Sequence, residues 1–204
     1  MTDPIDRRLT YPTELPTART ARETLRPAAV LFALTAHEGV VETVLTVRNS
    51  ALKSHPGQIS FPGGRIEPGD RDVAETAMRE AAEEIGIEVR DIEVIGALDQ
   101  CITGTGYSVV PVVALIPPNY PYRLDHREVA EVFHVPMPHL FDATRHQRLS
   151  RIINGARREY DAIDYNGYHI WGATARMIVG LYERLARVRD SASYKVFFGN
   201  CGKT

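Results

Sequence analysis

The stretch from residue 62 to residue 87 constrains the fold of this chain more than any other. Residues 62–70 are rich in glycine and proline, which permit the backbone angles of a tight loop. Apolar residues then recur with helical spacing. Asp72 followed by Glu75 forms a capping-box pattern, with Asp70 as a second candidate cap, and Gly86 is suited to end a helix. The pattern therefore predicts a loop that opens a helix ending at about residue 85.

The two sides of this predicted helix differ in chemistry. Five apolar residues share one stripe, which must face the core: Ala74, Ala77, Met78, Ala81 and Ile85. Glu80, Glu83 and Glu84 lie on the flank, where like charges one turn apart cost about 0.2–0.5 kcal/mol in water. Hard carboxylate oxygens suit Mg²⁺ or Mn²⁺ better than Ca²⁺ or Zn²⁺. The alternative is an ordinary acidic surface, with Glu75 and Arg79 as a favourable pair.

Strand patterns dominate the rest of the chain, so the fold class is predicted as α/β with a mixed sheet between helices. Strands are predicted at residues 27–35 and 40–48 as a hairpin, and at 92–98, 109–116 and a short segment 135–141; a polar hairpin is predicted at 148–153 and 157–163 around residues 154–155, and a final helix at 172–189. Residues 1–26 are predicted to be an N-terminal extension, 27–190 the domain, and 191–204 a C-terminal tail.

Composition excludes several classes of protein. The 204 residues are 44% hydrophobic with a net charge of -2, which excludes collagen and wholesale disorder and argues against a general nucleic-acid surface. The longest apolar runs, 28–34 and 109–116, are far shorter than the roughly 20 residues of a membrane span. The charged start of the chain lacks the apolar region of a signal peptide, which predicts a cytoplasmic protein. Two cysteines, Cys101 and Cys201, do not form a disulfide framework.

The loop and helix together resemble the Nudix box. Its pattern is a glycine, an acidic residue after five others, and then Arg-Glu-apolar-x-Glu-Glu-x-Gly-apolar; it is filled by Gly64, Asp70, Arg79, Glu80, Ala81, Glu83, Glu84, Gly86 and Ile87. Asp replaces the usual Glu at position 70, and one extra residue separates it from Arg79. Residues 45–64 are similar to the signature of the coenzyme A pyrophosphatase branch, which commonly shows both departures. Residues 128–133 and 170–175 also resemble that branch.

This resemblance implies an α/β/α sandwich and a Nudix hydrolase activity. The implied reaction cleaves the pyrophosphate bond of coenzyme A or acyl-CoA to adenosine 3′,5′-bisphosphate and (acyl-)4′-phosphopantetheine, with Mg²⁺ or Mn²⁺ as cofactor. The implied metal ligands are the carboxylates of Glu80, Glu83 and Glu84 and the Gly64 carbonyl, which the loop leaves free. Arg79 is expected to steady a carboxylate or the loop, through Asp70, from the side of Glu83 away from Glu80 and Glu84.

The sequence does not assign the general base or the substrate contacts to single residues. Glu83 or Glu84 is a candidate general base, and Glu128 and Glu131, on a predicted mobile loop, are rivals. Glu131 is favoured as an accessory acid. Candidate substrate contacts are Arg48, Lys53, His55 and Gln58. Phe133 and Trp171 are predicted to pack in the core.

Two alternative functions remain. One is the same fold acting on another nucleoside diphosphate derivative, such as ADP-ribose or a dinucleotide. The other is a non-catalytic module that senses a nucleotide, although a pure binder need not keep three repelling glutamates. The predicted partner is a small molecule, with neither nucleic acid nor membrane, and a homodimer is left open.

Overall fold

A computed structural model describes residues 25–52, 54–153 and 156–187. The strands are β1 (Arg26–His37), β2 (Val40–Arg48), β3 (Ile59–Ser60), β4 (Gly63–Arg65), β5 (Glu93–Ala97), β6 (Cys101–Ile102), β7 (Tyr107–Leu115), β8 (Val129–Pro136), β9 (Gln147–Ile153), β10 (Ala156–Tyr165) and β11 (Tyr168–Trp171), and the helices are α1 (Val73–Ile85), α2 (Met137–Leu140) and α3 (Ala173–Arg187). Lys53, Cys201 and the predicted tail lie outside the described residues, so the predicted domain boundaries stay predictions.

The main sheet has eight strands and is mixed. Its central order is β3-β2-β1-β7-β5, with β4 also paired to β1, β6 to β7 and β8 to β2. Only β1 and β7 run parallel among these pairs, whereas the neighbours of β2 and β5 are antiparallel. The predicted hairpin of the first two strands is confirmed, because Leu34 lies opposite Thr43 and His37 opposite Val40.

Alternation along β1 divides the core into two layers. Leu31 packs with α1 on one face of the sheet, whereas Phe32 packs with α3 on the other, since successive side chains of a strand point to opposite faces. Both side chains are completely buried. Burial of such a side chain contributes about 1.5–3 kcal/mol, so each face holds its helix firmly. The predicted α/β/α sandwich with a mixed sheet is confirmed.

Helix α1 begins and ends at the predicted residues. Asp72 is the N-cap and accepts a hydrogen bond from the Glu75 N–H at 2.8 Å. The capping box is only half formed, because the Glu75 carboxylate accepts from the Arg71 N–H instead of the Asp72 N–H. Gly86 ends the helix with φ 71°, in the left-handed region, and donates its N–H to the Ala82 carbonyl.

The secondary structure predicted for residues 128–141 was wrong. The region predicted as a loop is the start of β8, and the second half of the predicted short strand is α2. Strand β8 is specified by pairing with β2, which lies about 85 positions earlier in the chain, with Phe133 opposite Leu45. Pro136 is the N-cap of α2, and Pro138 lies in its first turn, where the fixed φ and missing N–H of proline are tolerated.

A second, three-stranded sheet has the order β11-β10-β9 and packs beside α3. The predicted polar hairpin is confirmed, because Ile153 lies opposite Ala156 across residues 154–155, which are outside the described part of the chain. Phe133 packs in the core as predicted and stacks on Tyr168 with ring centroids 3.9 Å apart, whereas Trp171 is only half-buried. Within residues 25–187, apart from positions 53, 154 and 155, no helix is long and apolar enough to cross a membrane.

Candidate functional site

Three glutamates of α1 face a short segment that joins β7 to β8 across a cleft of about 350 Å³. The residues that line this acidic cleft are Glu80, Glu83, Glu84, Asp125, Arg127 and Glu128. Five of the six carry carboxylates, and they come from two parts of the chain that are about 40 positions apart. The cleft therefore concentrates negative charge at the carboxyl end of α1.

Backbone hydrogen bonds place the second segment against the helix. The last carbonyl groups of a helix lack partners within it. Here the Arg123 N–H donates to the Ile85 carbonyl and the Asp125 N–H to the Glu84 carbonyl, both at 3.0 Å. The Glu128 N–H then donates to the Asp125 carbonyl at 2.9 Å and closes a turn. The segment that completes the helix end thus also carries Glu128 into the acidic cleft.

Glu84 is the most deeply buried acid of the cleft, with 4% of its surface exposed. Its carboxylate accepts the Gly63 N–H at 3.2 Å, and Arg48 Nη1 lies 3.5 Å away. Burial, together with the nearby Glu80 and Glu128 carboxylates, raises the pKa of Glu84 to about 8, although the Gly63 N–H and Arg48 act in the opposite direction. A buried negative charge is costly here, so a cation near Glu84 would stabilise its ionised form.

Glu80 lies against the loop that precedes the helix. Its carboxylate is so close to Gly64 that a Cβ atom at that position would overlap it, so any larger residue there would displace the Glu80 carboxylate. Burial raises the pKa of Glu80 above its ordinary value, with Glu83 and Glu128 adding to the effect. The prediction that Gly64 lies in an irregular loop was wrong, because Gly64 belongs to β4 and pairs with Ala29 of β1.

Arg79 binds the loop and the glutamates together. Its Nε and Nη2 donate to the two carboxylate oxygens of Asp70, each at 3.0 Å, and Nη2 also donates to the Arg65 carbonyl. Its Nη1 donates to Glu80 Oε1 at 3.0 Å and to Glu83 Oε2 at 3.3 Å. The prediction that Arg79 points away from Glu80 was wrong, because its long side chain curves back along the helix surface toward the neighbouring residue.

Several hydrogen bonds hold the Asp70 carboxylate. Besides Arg79, its carboxylate accepts from the Thr76 hydroxyl and the Glu67 N–H, both at 2.8 Å. The hydrogen bonds from Arg79 hold the pKa of Asp70 well below its usual range, although burial acts in the opposite direction. Asp70 therefore fixes the loop to α1 and has no free oxygen directed at the cleft.

The cleft fits a hard divalent cation in charge and ligand type. Carboxylate oxygens are the ligands that Mg²⁺ and Mn²⁺ prefer, and burial raises the pKa of both Glu80 and Glu84, so a nearby cation would stabilise their ionised forms. In the present side-chain arrangement of the described residues, no three acidic, His or Cys side chains converge enough to hold an ion. Glu83, with 61% of its side chain exposed, must rotate inward to join such a set.

Of the two rival acids outside α1, the structure brings only Glu128 into the cleft. The prediction that Glu131 lies on a mobile loop was wrong, since it belongs to β8. Strand alternation places it with Phe133 on the face that packs with α3, opposite the face that α1 covers. Its carboxylate accepts a hydrogen bond from the Tyr168 hydroxyl at 2.5 Å.

The candidate substrate contacts after β2 fall into two groups. Arg48 points at Glu84 and therefore belongs to the acidic cleft. His55 and Gln58 bond to each other, with His55 Nδ1 and Gln58 Oε1 2.7 Å apart, and the Gln58 carbonyl accepts the Arg48 N–H at 2.9 Å. Lys53 lies outside the described residues.

Sequence reasoning missed two residues of the cleft. Asp125 and Arg127 form an ion pair at 2.6 Å, and the hydrogen bonds from Arg127 lower the pKa of Asp125 to about 2. The only signal was a charged run just before Glu128 in a long segment without a repeating pattern. Nothing in that run indicates that its backbone returns to the end of α1.

A larger cleft of about 610 Å³ lies between α3 and residues 98–102. Its two acids have arginine partners, since Arg184 lies 3.4 Å from Asp99 and Arg176 lies 3.7 Å from Glu183. Its carboxylates are therefore neutralised, and it lacks the excess negative charge of the acidic cleft.

Comparison with known proteins agrees with this site. A family model described as the NUDIX domain matches residues 24–153. "Uncharacterized Nudix hydrolase NudL" from Escherichia coli (strain SMS-3-5 / SECEC) is 39% identical over 159 residues, which cover 77% of this chain and 82% of that protein. Both the matched model and this relative include the loop and helix that form the acidic cleft.

Two solved structures share the fold. A MutT/nudix family protein from Enterococcus faecalis superposes with a TM-score of 0.52 at 14% identity, covering 89% of this chain and 69% of that one. The Nudix hydrolase RenU from M. smegmatis gives a TM-score of 0.51 at 16% identity, covering 82% and 87%. With a family model that matches more than half of its residues and a relative at 39% identity, this chain belongs to the Nudix hydrolase family.

Proposed function

We propose that this protein hydrolyses the pyrophosphate bond of coenzyme A and acyl-CoA, giving adenosine 3′,5′-bisphosphate and (acyl-)4′-phosphopantetheine, in the cytoplasm. The observation that carries the proposal is the buried Glu84 carboxylate, which shares one cleft with Glu80 and Glu128. The cleft holds too little positive charge to balance these carboxylates. The choice of coenzyme A is supported by the similarity of residues 45–64 to the signature of that Nudix branch.

Glu80, Glu83, Glu84 and the Gly64 carbonyl are the proposed ligands of Mg²⁺ or Mn²⁺. When bound, such an ion supplies charge neutralisation of the diphosphate and a lowered pKa for a coordinated water. The protein's own contribution is to hold these oxygens in place. The hydrogen bonds of Arg79 to Asp70, Glu80 and Glu83 provide that support, so Arg79 is proposed as a positioning residue.

The hydrolysis itself requires a water that attacks one phosphorus while the bridging P–O bond breaks and its oxygen leaves with the other phosphate. The proton of that water must pass to a nearby base. Glu83, Glu84 and Glu128 are the proposed candidates, because all three line the cleft. Glu131, the other rival, is not among them, since Tyr168 binds its carboxylate on the opposite face of the sheet.

Arg48 is proposed to contact the diphosphate, because its guanidinium already lies at Glu84. His55 and Gln58 remain proposed contacts to phosphate or pantetheine, and Lys53 remains a proposed contact to the 3′-phosphate. A lost charge-assisted hydrogen bond to a phosphate costs about 1.5–3 kcal/mol, so Arg48→Met should raise KM more than it lowers kcat.

The decisive experiment incubates the full chain with Mg²⁺ and, separately, coenzyme A, acetyl-CoA, ADP-ribose and a dinucleoside polyphosphate, and identifies products by mass. Release of adenosine 3′,5′-bisphosphate from coenzyme A at the highest kcat/KM supports the proposal. Much faster turnover of ADP-ribose would assign a different substrate. Binding without turnover of any compound would favour the non-catalytic alternative. Glu84→Gln is the control for a contaminating activity.

A further inference from the structure

We propose that Arg26, Arg65 and Tyr107 form a binding site for a phosphate monoester, outside the acidic cleft. Arg65 donates from Nε and Nη2 to the Tyr107 hydroxyl oxygen, at 3.1 and 2.8 Å. The Arg26 guanidinium lies 3.9 Å from the centroid of the Tyr107 ring. A single tyrosine thus holds two exposed arginine side chains close together; we call these three residues the arginine–tyrosine cluster.

The register of the strands produces this arrangement. Arg26 lies beside Tyr107 in the parallel pairing of β1 with β7, and Arg65 lies opposite Ala28 in the pairing of β4 with β1. Residues 26 and 28 point to the same face, so all three side chains of the cluster share it. The Arg26 Nη2 also donates to the Thr105 carbonyl at 2.7 Å, which fixes its direction.

Within the described part of the chain, no carboxylate balances the charge of the cluster. Of the ion pairs formed by residues 25–187 outside the three undescribed positions, none involves Arg26 or Arg65. Cation–π contact offsets part of their mutual repulsion, at about 0.5–1 kcal/mol for an exposed site. A bound anion would offset the remaining repulsion between the two guanidinium groups. Tyr107 engages Nε and Nη2 of Arg65, and the Thr105 carbonyl engages Nη2 of Arg26, so the remaining guanidinium N–H groups are the ones that would donate charge-assisted hydrogen bonds to several oxygens of one anion, which favours a phosphate monoester over a simple halide.

The cluster is adjacent to the proposed active site but separate from it. Gly64 pairs with Ala29 on the face covered by α1, whereas Arg65 points to the other face. The two Cα atoms are only about 3.8 Å apart, as for any consecutive residues. The Arg65 carbonyl is also held by Arg79. A phosphate bound at the cluster therefore contacts the same three-residue strand that supports Glu80.

The test measures binding of inorganic phosphate to the full chain by calorimetry, with EDTA present to exclude any metal contribution. The double variant Arg26→Met/Arg65→Met should bind about tenfold more weakly or worse. Tyr107→Phe should give a smaller loss, because it keeps the ring but releases Arg65. Arg90→Met, at an exposed arginine paired with Glu88, is the matched control and should leave the affinity unchanged. Thermal unfolding checks that every variant is folded.

Equal affinity in the wild type and the double variant, or no saturable binding by the wild type, would overturn the inference. A second arm distinguishes the source of the phosphate and rests on the proposed function. If the site binds the 3′-phosphate of the substrate, the wild type should have a lower KM for coenzyme A than for 3′-dephospho-coenzyme A. In the double variant the ratio of the KM for 3′-dephospho-coenzyme A to the KM for coenzyme A should be about tenfold smaller, with kcat unchanged. If that ratio is unchanged while phosphate binding is lost, the ligand is a free phosphate. If coenzyme A is not hydrolysed, the proposed function fails, and the calorimetric result still decides the inference.

Discussion

Two acids at opposite ends of α1 are almost equally buried, yet their environments differ sharply. The Asp70 side chain is 5% exposed and Glu84 is 4% exposed. Asp70 accepts hydrogen bonds from Arg79, Thr76 and a backbone N–H, and its pKa is lowered. Glu84 has one N–H donor and an arginine 3.5 Å away, and burial raises its pKa to about 8. Low exposure alone therefore does not set the charge state of a carboxylate: hydrogen bonds from Arg79 outweigh burial at Asp70, whereas burial outweighs the few donors at Glu84.

The difference distinguishes a structural carboxylate from a functional one. Asp70, whose carboxylate has several hydrogen-bond donors, stabilises the loop against the helix. Glu84, whose carboxylate has few, lowers the stability of the fold while no cation is bound. A group that is costly in the protein alone is typical of a site that binds a charged ligand. The predictions below test this contrast, from the largest expected effect to the smallest.

The largest effect is expected from removing charge in the cleft. Glu84→Gln and Glu80→Gln should each lower kcat by about 10²-fold or more, because the glutamine keeps the shape but loses electrostatic stabilisation of the reaction. Steady-state rates with saturating Mg²⁺ measure this. Glu88→Gln, at an exposed glutamate just beyond the helix, is the control. Near-wild-type rates in both cleft variants would refute the assigned roles.

Asp70→Asn should act on stability first. The substitution leaves Arg79 without its main counter-charge, and breaking a buried ion pair costs about 3–5 kcal/mol. Urea unfolding monitored by circular dichroism measures the change. Asp142→Asn removes an exposed carboxylate paired with Arg145 and should have a much smaller effect. If the two variants lose similar stability, the fork between Arg79 and Asp70 does not anchor the loop.

Without metal, Glu84 should make the protein less stable as pH rises. Its pKa is about 8 in the folded chain, against an ordinary value of 4.5, so between these limits the folded state binds more protons than the unfolded state. The free energy of unfolding in EDTA should therefore fall across this range, and Glu84→Gln should remove a component on the order of 1–3 kcal/mol. Parallel curves for the wild type and the variant would contradict the raised pKa.

The smallest contrast concerns Glu128, in the segment that joins β7 to β8, and Glu131, in β8. Glu128→Gln should lower kcat/KM about three- to tenfold, because it lines the cleft, whereas Glu131→Gln should change it less than about twofold. Rate measurements on both variants in one buffer decide the point. The reverse order would place the accessory acid on the α3 face of the sheet.

The helix and its loop could be predicted because their signals are local. The caps of α1 and its apolar stripe depend on residues within a few positions of one another. Strand β8 could not be predicted in the same way, because exposed Glu131 interrupts its apolar pattern and its pairing partner lies far back in the chain. Asp125 and Arg127 could not be predicted as cleft residues for the same reason, because they reach α1 through contacts between distant parts of the chain.

The amino-acid sequence by itself determined the acidic face of α1, the glycines that allow the loop to approach it, and the family resemblance, since all of these depend on spacing along one segment. Tertiary structure decided which distant groups meet that face. It brought Arg48 and Glu128 to Glu84 and carried Glu131 to the opposite face of the sheet. The physical reason is that the pairing of β2 with β8, including its register shift between Val47 and Arg48, sets the face to which each paired residue points, and that pairing is specified by burial across the whole sheet.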